Sequence, residues 1–233
     1  NLAAISHVGQ SFREPLQTLL VNGYAVVSML EAIRHESPNT RFYQASTSEM
    51  FGSNVTSHNA SFGKCIHFQD ENTPFSPNSP YAAAKVYAHQ MVDLYRRSYN
   101  LHASCGILFN HESPRRGLDF VTRKITDGIA RIKCGKLDKL RMGNLEAIRD
   151  WGHAREYVEA MWMMLQKDNP DDYVIATGES VSVRDALQYV CDIAELDFNS
   201  VYEEDPRFMR PSDVPYLSGN ASKAKEVLGW SPK

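Results

Sequence analysis

Tyr81 and Lys85 stand four residues apart behind Asn78-Ser79-Pro80, a run that opens a helix, so their side chains share one helix face. A phenol of pKa ~10 takes no proton at neutral pH unless positive charge stabilises its phenolate, and an ammonium one turn away is such a charge. The pair therefore reads as an activated tyrosine base, although the same spacing also serves an ordinary exposed helix pair. Ser46-Thr47-Ser48-Glu49 follows directly on a strand-like run, which places hydroxyls and a carboxylate at a strand's carboxyl end. Open parallel sheets bind ligands at that edge; taken alone, the run is equally a polar turn in water. Arg115, Arg116, Lys124, Arg149 and Arg210 are spread over loop and helix-start positions. If they converge, their charged forks suit a diphosphate, and if they do not, they are solvated surface charges.

Other groupings carry less. His58, Cys65 and His67, with Asp70 and Glu71, follow no finger or helical ligand spacing, so no metal is expected. Asn54-Val55-Thr56, Asn59-Ala60-Ser61 and Asn220-Ala221-Ser222 fit a glycosylation sequon, but nothing points to secretion. Residues 161–165 form a helix core stripe.

The elements that must position these residues alternate in type. Residues 41–46, 103–109, 139–142 and 173–177 read as strands by length and bounding turn residues. Residues 15–35, 81–99, 120–134, 153–166, 183–195 and 223–228 read as helices. Ser182 with Asp185 three residues later is a capping-box variant, and Gly135 and Gly229 stand at helix stops. Strand and helix in alternation imply a parallel sheet with helices on its faces, an α/β fold. Residues 53–80, rich in Asn, Ser, Pro and His, exceed an ordinary connection and are expected to form a mobile or functional loop.

Composition narrows the classes. With 233 residues, 42% apolar and 23% charged, the chain buries a core without staples, so global disorder is excluded. A net charge of −3 gives no reason to expect nucleic acid. No uninterrupted apolar run approaches the ~20 residues of a membrane span, so no membrane partner is expected. Cys65, Cys105, Cys134 and Cys191 lie far apart and make no C-x-x-C pair, which fits a reducing cytoplasm. The residues from Asn1 onward show neither a basic n-region nor an apolar h-region, so no signal peptide is expected and the chain reads as a fragment.

A hydroxyl element after a strand followed by Tyr-x-x-x-Lys opening a helix resembles the extended short-chain dehydrogenase/reductase family. Three longer runs sharpen the likeness to the GDP-mannose 4,6-dehydratases within it. They are Tyr43-Gln44-Ala45-Ser46-Thr47-Ser48-Glu49, Gly106-Ile107-Leu108-Phe109-Asn110-His111-Glu112-Ser113-Pro114-Arg115-Arg116-Gly117, and Arg149-Asp150-Trp151-Gly152-His153-Ala154. The resemblance implies an incomplete Rossmann-like parallel sheet with a smaller substrate-binding lobe. Residues 1–110 and 145–178 would form the cofactor part, and 111–144 and 179–233 the GDP-sugar lobe. It further implies that Thr47, Glu49, Tyr81 and Lys85 are catalytic, and that Leu2, Ala3, Ala4, Ile5, Ser6, Tyr81, Lys85, His111 and Arg116 contact NADP. Asn110, Val121, Lys124, Arg149, Arg210 and Asp213 would hold GDP-mannose, with Asp213 where the family usually has Glu.

Implied with these is loss of water from GDP-D-mannose, giving GDP-4-keto-6-deoxy-D-mannose with NADP recycled. A homo-oligomer, dimer or tetramer, is allowed. The family's glycine-rich phosphate loop would precede Asn1, so a chain beginning there is expected to lack the pyrophosphate cradle and to show low activity. Gln17 replaces a tyrosine, Glu156 replaces an aspartate, and the loop before Tyr81 is longer than usual. A sugar-nucleotide epimerase or reductase of the same fold, an inactive GDP-sugar-binding remnant and, least favoured, a nucleic-acid-binding relative remain as alternatives. Glu49 favours the dehydratase, because the others need no acid two residues after the threonine.

Overall fold

The computed structural model describes residues 1–59 and 65–233. Helix α1 (Val8–Arg13) leads to α2 (Pro15–Leu19), which passes through a π-helical turn, Leu20–Tyr24, into α3 (Ala25–Glu36). Pro15 opens α2 where a backbone N–H has no helical partner anyway. At the widened turn the helix presses on a neighbour. A Cβ on Gly23 would meet Tyr87 at 3.0 Å and Leu19 at 3.1 Å.

Strand β1 (Phe42–Thr47) ends in a short 3-10 turn, Ser48–Phe51, and a hairpin of β2 (Thr56–Asn59) and β3 (Cys65–Phe68) follows. Helix α4 (Pro80–Tyr99) starts under Ser79, whose Oγ accepts the Ala82 N–H at 3.0 Å. Then come β4 (Ala103–Leu108), β5 (Asn110–Glu112), α5 (Val121–Lys133), β6 (Leu140–Met142), β7 (Ile148–His153) and α6 (Ala154–Gln166). The chain continues through β8 (Asp172–Ile175), β9 (Ser180–Ser182), α7 (Val183–Ala194), α8 (Phe198–Val201) and β10 (Tyr202–Glu204).

The central sheet has the order β1-β4-β8, all parallel, with Gln44 opposite Cys105 and Cys105 opposite Asp172. Asn1 joins its outer edge, accepting the Ala45 N–H at 3.1 Å and donating from its amino group to the Tyr43 carbonyl. Val26 and Leu30 of α3 and Ala88 and Val92 of α4 pack on the sheet with Phe42, Ala103 and Cys105. A separate cluster joins Tyr157 and Met164 of α6 with Tyr173, Leu228 and Trp230. Helices on both faces are what a parallel sheet requires to bury its apolar strands. A second sheet, β5-β7-β9, continues from the ends of the first, and α5, β6 and α7 enclose Ile125, Ile129, Leu140 and Leu187. Burying each such side chain contributes ~1.5–3 kcal/mol.

Two expectations change. Residues 53–80 are not simply irregular: beyond the hairpin, Gln69 and Thr73 are buried, and Gln69 ties to the Ser218 and Asn220 backbone. Glu71 accepts the Val174 N–H of β8 at 2.7 Å, fastening this stretch to the sheet edge. Its polar composition reads as loop because the partners lie a hundred residues away. The helical stretch Pro15–Glu36 is 22 residues long with a mean hydropathy of 1.3 in its best window, long and apolar enough to cross a membrane by length and composition. A search for uninterrupted apolar runs misses it; here its buried face packs against α4. The His58 and Cys65 side chains of the candidate metal grouping, and most of the Asn59-Ala60-Ser61 sequon, lie outside the described residues. Among the described residues no group of His, Cys, Asp or Glu could hold a metal ion.

Candidate active site

Thr47 is the last residue of β1, and its Oγ1 accepts the Glu49 N–H at 3.3 Å, so strand end and 3-10 turn hold the two side chains in a fixed relation. Gly52 closes the turn at φ +57 with its Cβ direction 1.8 Å from the Ser76 carbonyl oxygen, a place only glycine can occupy. Tyr81 and Lys85, one turn apart on α4, are both buried. Tyr81 has a hydrogen bond with Thr47 and lies in the fields of Glu49 and Arg116.

The electrostatics of this pair differ from expectation. Burial pushes the Tyr81 phenol up to about 12, the Glu49 charge adds to this, and the Thr47 bond and Arg116 oppose it. The Lys85 ammonium does not bring the phenol down: it donates to the Ala45 carbonyl at 2.8 Å, with Nζ 5.9 Å from the tyrosine ring centroid. Burial in turn lowers Lys85 to about 8. Loss of solvent outweighs the pairing, and spacing alone does not reveal it.

Two of the five scattered basic residues meet. Arg149, on β7 and 6% exposed, donates from Nη2 to Asp213 Oδ1 at 3.2 Å and from Nη1 to the Ile148 carbonyl at 2.9 Å. Arg210 Nη1 reaches the same Asp213 oxygen at 3.1 Å and stands 3.9 Å from Glu49 Oε1. Burial lowers the Arg149 pKa, and the charges of Glu49 and Asp213 oppose that. Lys124 lies elsewhere, with Nζ 3.3 Å from the Phe208 ring centroid. It lines a cavity of about 750 Å³ together with Arg131, Arg141 and Arg207. Val121 sits one turn before it on α5, partly buried. Arg115 is exposed.

Asn110 and His111 are on β5, opposite Trp151 and Gly152 of β7. The His111 ring stacks on Tyr157 at 4.9 Å, and its Nδ1 lies 2.9 Å from the Phe109 carbonyl, which makes Nδ1 the donor and leaves Nε2 an acceptor. Burial lowers its pKa. Arg116 lies over Phe120 at 3.7 Å and 3.2 Å from the Glu112 carboxylate, yet its buried Nε finds no hydrogen-bond geometry there. Residues Leu2 to Ser6 run from the edge of β1, where buried Asn22 bonds both the N–H and the carbonyl of Ile5. Leu2, Ala3 and Ser6 are exposed, Ala4 and Ile5 half-buried.

A family model described as GDP-mannose 4,6 dehydratase matches residues 1–233. The chain belongs to the GDP-mannose 4,6-dehydratase family. It is 51% identical over 237 residues to GDP-mannose 4,6 dehydratase 1 of Arabidopsis thaliana, covering 100% of this chain and 63% of that protein. To the GDP-mannose 4,6-dehydratase of Sinorhizobium fredii it is 49% identical, covering 99% of this chain and 68% of that one. Among solved structures it resembles RMD from Pseudomonas aeruginosa, complexed with NADPH, at a TM-score of 0.84 and 22% identity. That likeness covers all of this chain and 74% of the other, and it shows a shared Rossmann fold. The chain spans 63% of the Arabidopsis relative's length.

In this member of the GDP-mannose 4,6-dehydratase family, sequence reasoning passes over several polar residues near the site. Asp150, fully buried beside Arg149, accepts from Thr177 N and Oγ1, Gly178 N and Gly219 N, and so ties β7 to the turn after β8. Its place in the Arg149-Asp150-Trp151-Gly152 run is the one signal it gives. Glu112, which accepts from Thr122 Oγ1 at 2.5 Å, likewise shows only as a member of the Gly106 to Gly117 run.

Proposed function

We propose that the protein dehydrates GDP-D-mannose to GDP-4-keto-6-deoxy-D-mannose with NADP as a recycled cofactor. The observation that carries this reading is the meeting of Thr47, Glu49 and Tyr81 at the end of β1, with Arg210 3.9 Å from Glu49. An acid beside the tyrosine is what a dehydration at C5 and C6 needs and a simple oxidation at C4 does not. The family membership and the names of the relatives support the same substrate.

Tyr81 takes the proton of the sugar 4-hydroxyl. Thr47, whose oxygen accepts from Glu49 N and whose hydroxyl is directed at Tyr81, turns that hydrogen to O4 of the bound sugar as charge grows there. Glu49 removes the proton from C5, acidified by the C4 ketone, and delivers it to the departing 6-hydroxyl, which leaves as water; C5 takes up a solvent proton as C6 is reduced, which balances the proton Tyr81 took from the 4-hydroxyl. Bound NADP supplies the hydride acceptor at C4, the hydride returned at C6, and, oxidised, a positive ring charge of the kind a phenol held near 12 needs. The residues present fit its nicotinamide end: Tyr81 and Lys85 share one face, and the buried Nε of Arg116, 3.2 Å from the Glu112 carboxylate without hydrogen-bond geometry, is a donor with no bond of its own. Leu2, Ala3, Ala4, Ile5, Ser6 and His111 complete the set proposed to contact it.

Arg149 and Arg210 hold the diphosphate, with Asp213 fixing both guanidinium groups, and Asn110, Val121 and Lys124 hold the remainder of the nucleotide sugar. The cavity beside Lys124 is of a size that takes a small ligand. We also propose the division into 1–110 with 145–178 and 111–144 with 179–233. The separate apolar cluster of α5, β6, α7 and α8 supports it, while Val214, Leu217 and Trp230 cross back onto the sheet. Exposed Leu16, Leu19, Leu20 and Tyr24, beside Tyr87 and Leu94 of α4, support self-association. The free thiols of Cys105, Cys134 and Cys191 accord with a reducing cytoplasm.

Incubating the full-length protein with GDP-mannose and NADP and analysing the nucleotide sugars by mass spectrometry tests the reading. The expected product is lighter by one water. A C4 epimer of unchanged mass would assign the chain to a sister reaction.

A further inference from the structure

The helix face that carries Tyr81 and Lys85 continues inward with His89 and Arg96, so four polar side chains of α4 lie within one sector above the sheet. Each has a partner below. Lys85 reaches the Ala45 carbonyl, and Arg96 Nε reaches the Ala103 carbonyl at 2.7 Å and pairs with Asp172. His89 sits between two strands: Nδ1 is 3.0 Å from Ser46 Oγ of β1, and Nε2 is 3.6 Å from Asp172 Oδ2 of β8. The Asp172 carboxylate also accepts the Cys105 N–H of β4 at 3.0 Å. Phe75 meets the imidazole edge-on at 5.1 Å from the loop side. One chain of polar contacts thus links all three strands to the helix.

Serine, histidine and aspartate in this order have the layout of a hydrolytic triad, but that reading does not stand. Ser46 is 4% and His89 7% exposed, so no carbonyl substrate reaches the hydroxyl. Arg96 already compensates Asp172, and burial lowers the His89 pKa, with Asp172 and Asp93 opposing and Arg96 reinforcing. The ring is then neutral, with Nε2–H toward Asp172 and Nδ1 accepting from Ser46.

The placement matters because of what adjoins each end. Ser46 immediately precedes Thr47, and His89 is one turn beyond Lys85. Apolar contacts of Ala88 and Val92 set how closely the helix lies on the sheet, but they are non-directional and leave sliding along the strand cheap. A directional bond between Ser46 and His89 opposes that slide. We propose that His89 is a positioning residue for the Tyr81–Lys85 pair, holding α4 in register on β1 through Ser46 and on β8 through Asp172. This rests on the reading of Thr47, Glu49, Tyr81 and Lys85 as the catalytic group.

The test compares His89→Phe, which keeps a ring for Phe75 but loses both polar contacts, with His89→Asn, which keeps an acceptor near the place of Nδ1. Two quantities are read in each: kcat and KM for GDP-mannose, and the titration midpoint of Lys85 from its side-chain carbon NMR signal. A neutral His89 exerts no direct charge effect on Lys85, so its replacement moves that midpoint only by shifting or wetting the helix. The expected result for His89→Phe is a ~10-fold or greater fall in kcat with KM nearly unchanged. The Lys85 midpoint should also climb from about 8 toward 10.5, and His89→Asn should restore both. A lowered Tm with kcat and the Lys85 midpoint unchanged overturns the proposal, as does a wild-type Lys85 that already titrates near 10.5. If His89→Phe does not fold, Ser46→Ala, which removes one oxygen from the other side of the same bond, should give the same pattern or overturn it. Absence of GDP-mannose turnover in the full-length wild type refutes the functional reading alone, because the Lys85 titration still decides the positioning role.

Discussion

Arg210 Nη1 stands 3.9 Å from Glu49 Oε1 and 3.1 Å from Asp213 Oδ1, so one guanidinium connects the carboxylate proposed as base to the group that orients Arg149. In the proposed reading, substrate holding and proton transfer would share one charge network, and a diphosphate held by Arg149 and Arg210 would bring its sugar toward Glu49.

Arg149→Ala is expected to weaken GDP-mannose binding by ~1.5–3 kcal/mol, the range for hydrogen bonds to charged groups. Isothermal titration with GDP-mannose and with free GDP measures it. Both ligands should weaken together, since the lost contact is to the diphosphate they share. Unchanged affinity for either would remove Arg149 from the site.

Asp150→Ala is expected to cost ~3 kcal/mol or more of unfolding free energy, because the Thr177, Gly178 and Gly219 N–H groups lose a buried acceptor at once. Denaturant unfolding would show it. A loss below ~1 kcal/mol would mean that water replaces the carboxylate.

Lys85 gives a pH signature. Its folded value of about 8 lies below the 10.5 of a free lysine, so between those values the unfolded chain binds the extra proton and stability rises with pH. Relative to Lys85→Met, the wild type should gain ~3 kcal/mol between about pH 7 and about pH 11. Parallel stability curves for the two proteins would show that Lys85 is not desolvated.

Much of the fold was legible because α4, α5, α6 and α7 carry a 3.6-residue apolar period between clear signals. Ser182 and Asp185 form the reciprocal capping box expected of them, and Gly135 ends α5 at φ +66. The short strands β5, β7 and β9 were not legible: Arg149-Asp150-Trp151 does not alternate like a strand, and Asp150 is satisfied by backbone far along the chain. In the candidate site, residue types and order singled out Thr47, Glu49, Tyr81 and Lys85 as candidates, the resemblance implied their role, and the fold brings Thr47, Glu49 and Tyr81 near one another with Lys85 one helical turn away. The sequence could not convey the upward shift of Tyr81, which follows from burial, nor His89 and Asp172, whose relation exists only once β8 lies beside β4.

Glu49→Gln tests the central claim most directly. In deuterated solvent, the full-length protein, with the phosphate-loop segment its relatives carry, should place deuterium at C5 of GDP-mannose and form the 6-deoxy product in the presence of NADP. In the Glu49→Gln protein both should fall by ~10²-fold or more while NADP binding persists, since a general acid/base typically contributes that much. Deuterium entry and 6-deoxy product at the wild-type rate in that variant would contradict the assignment of Glu49 as the base.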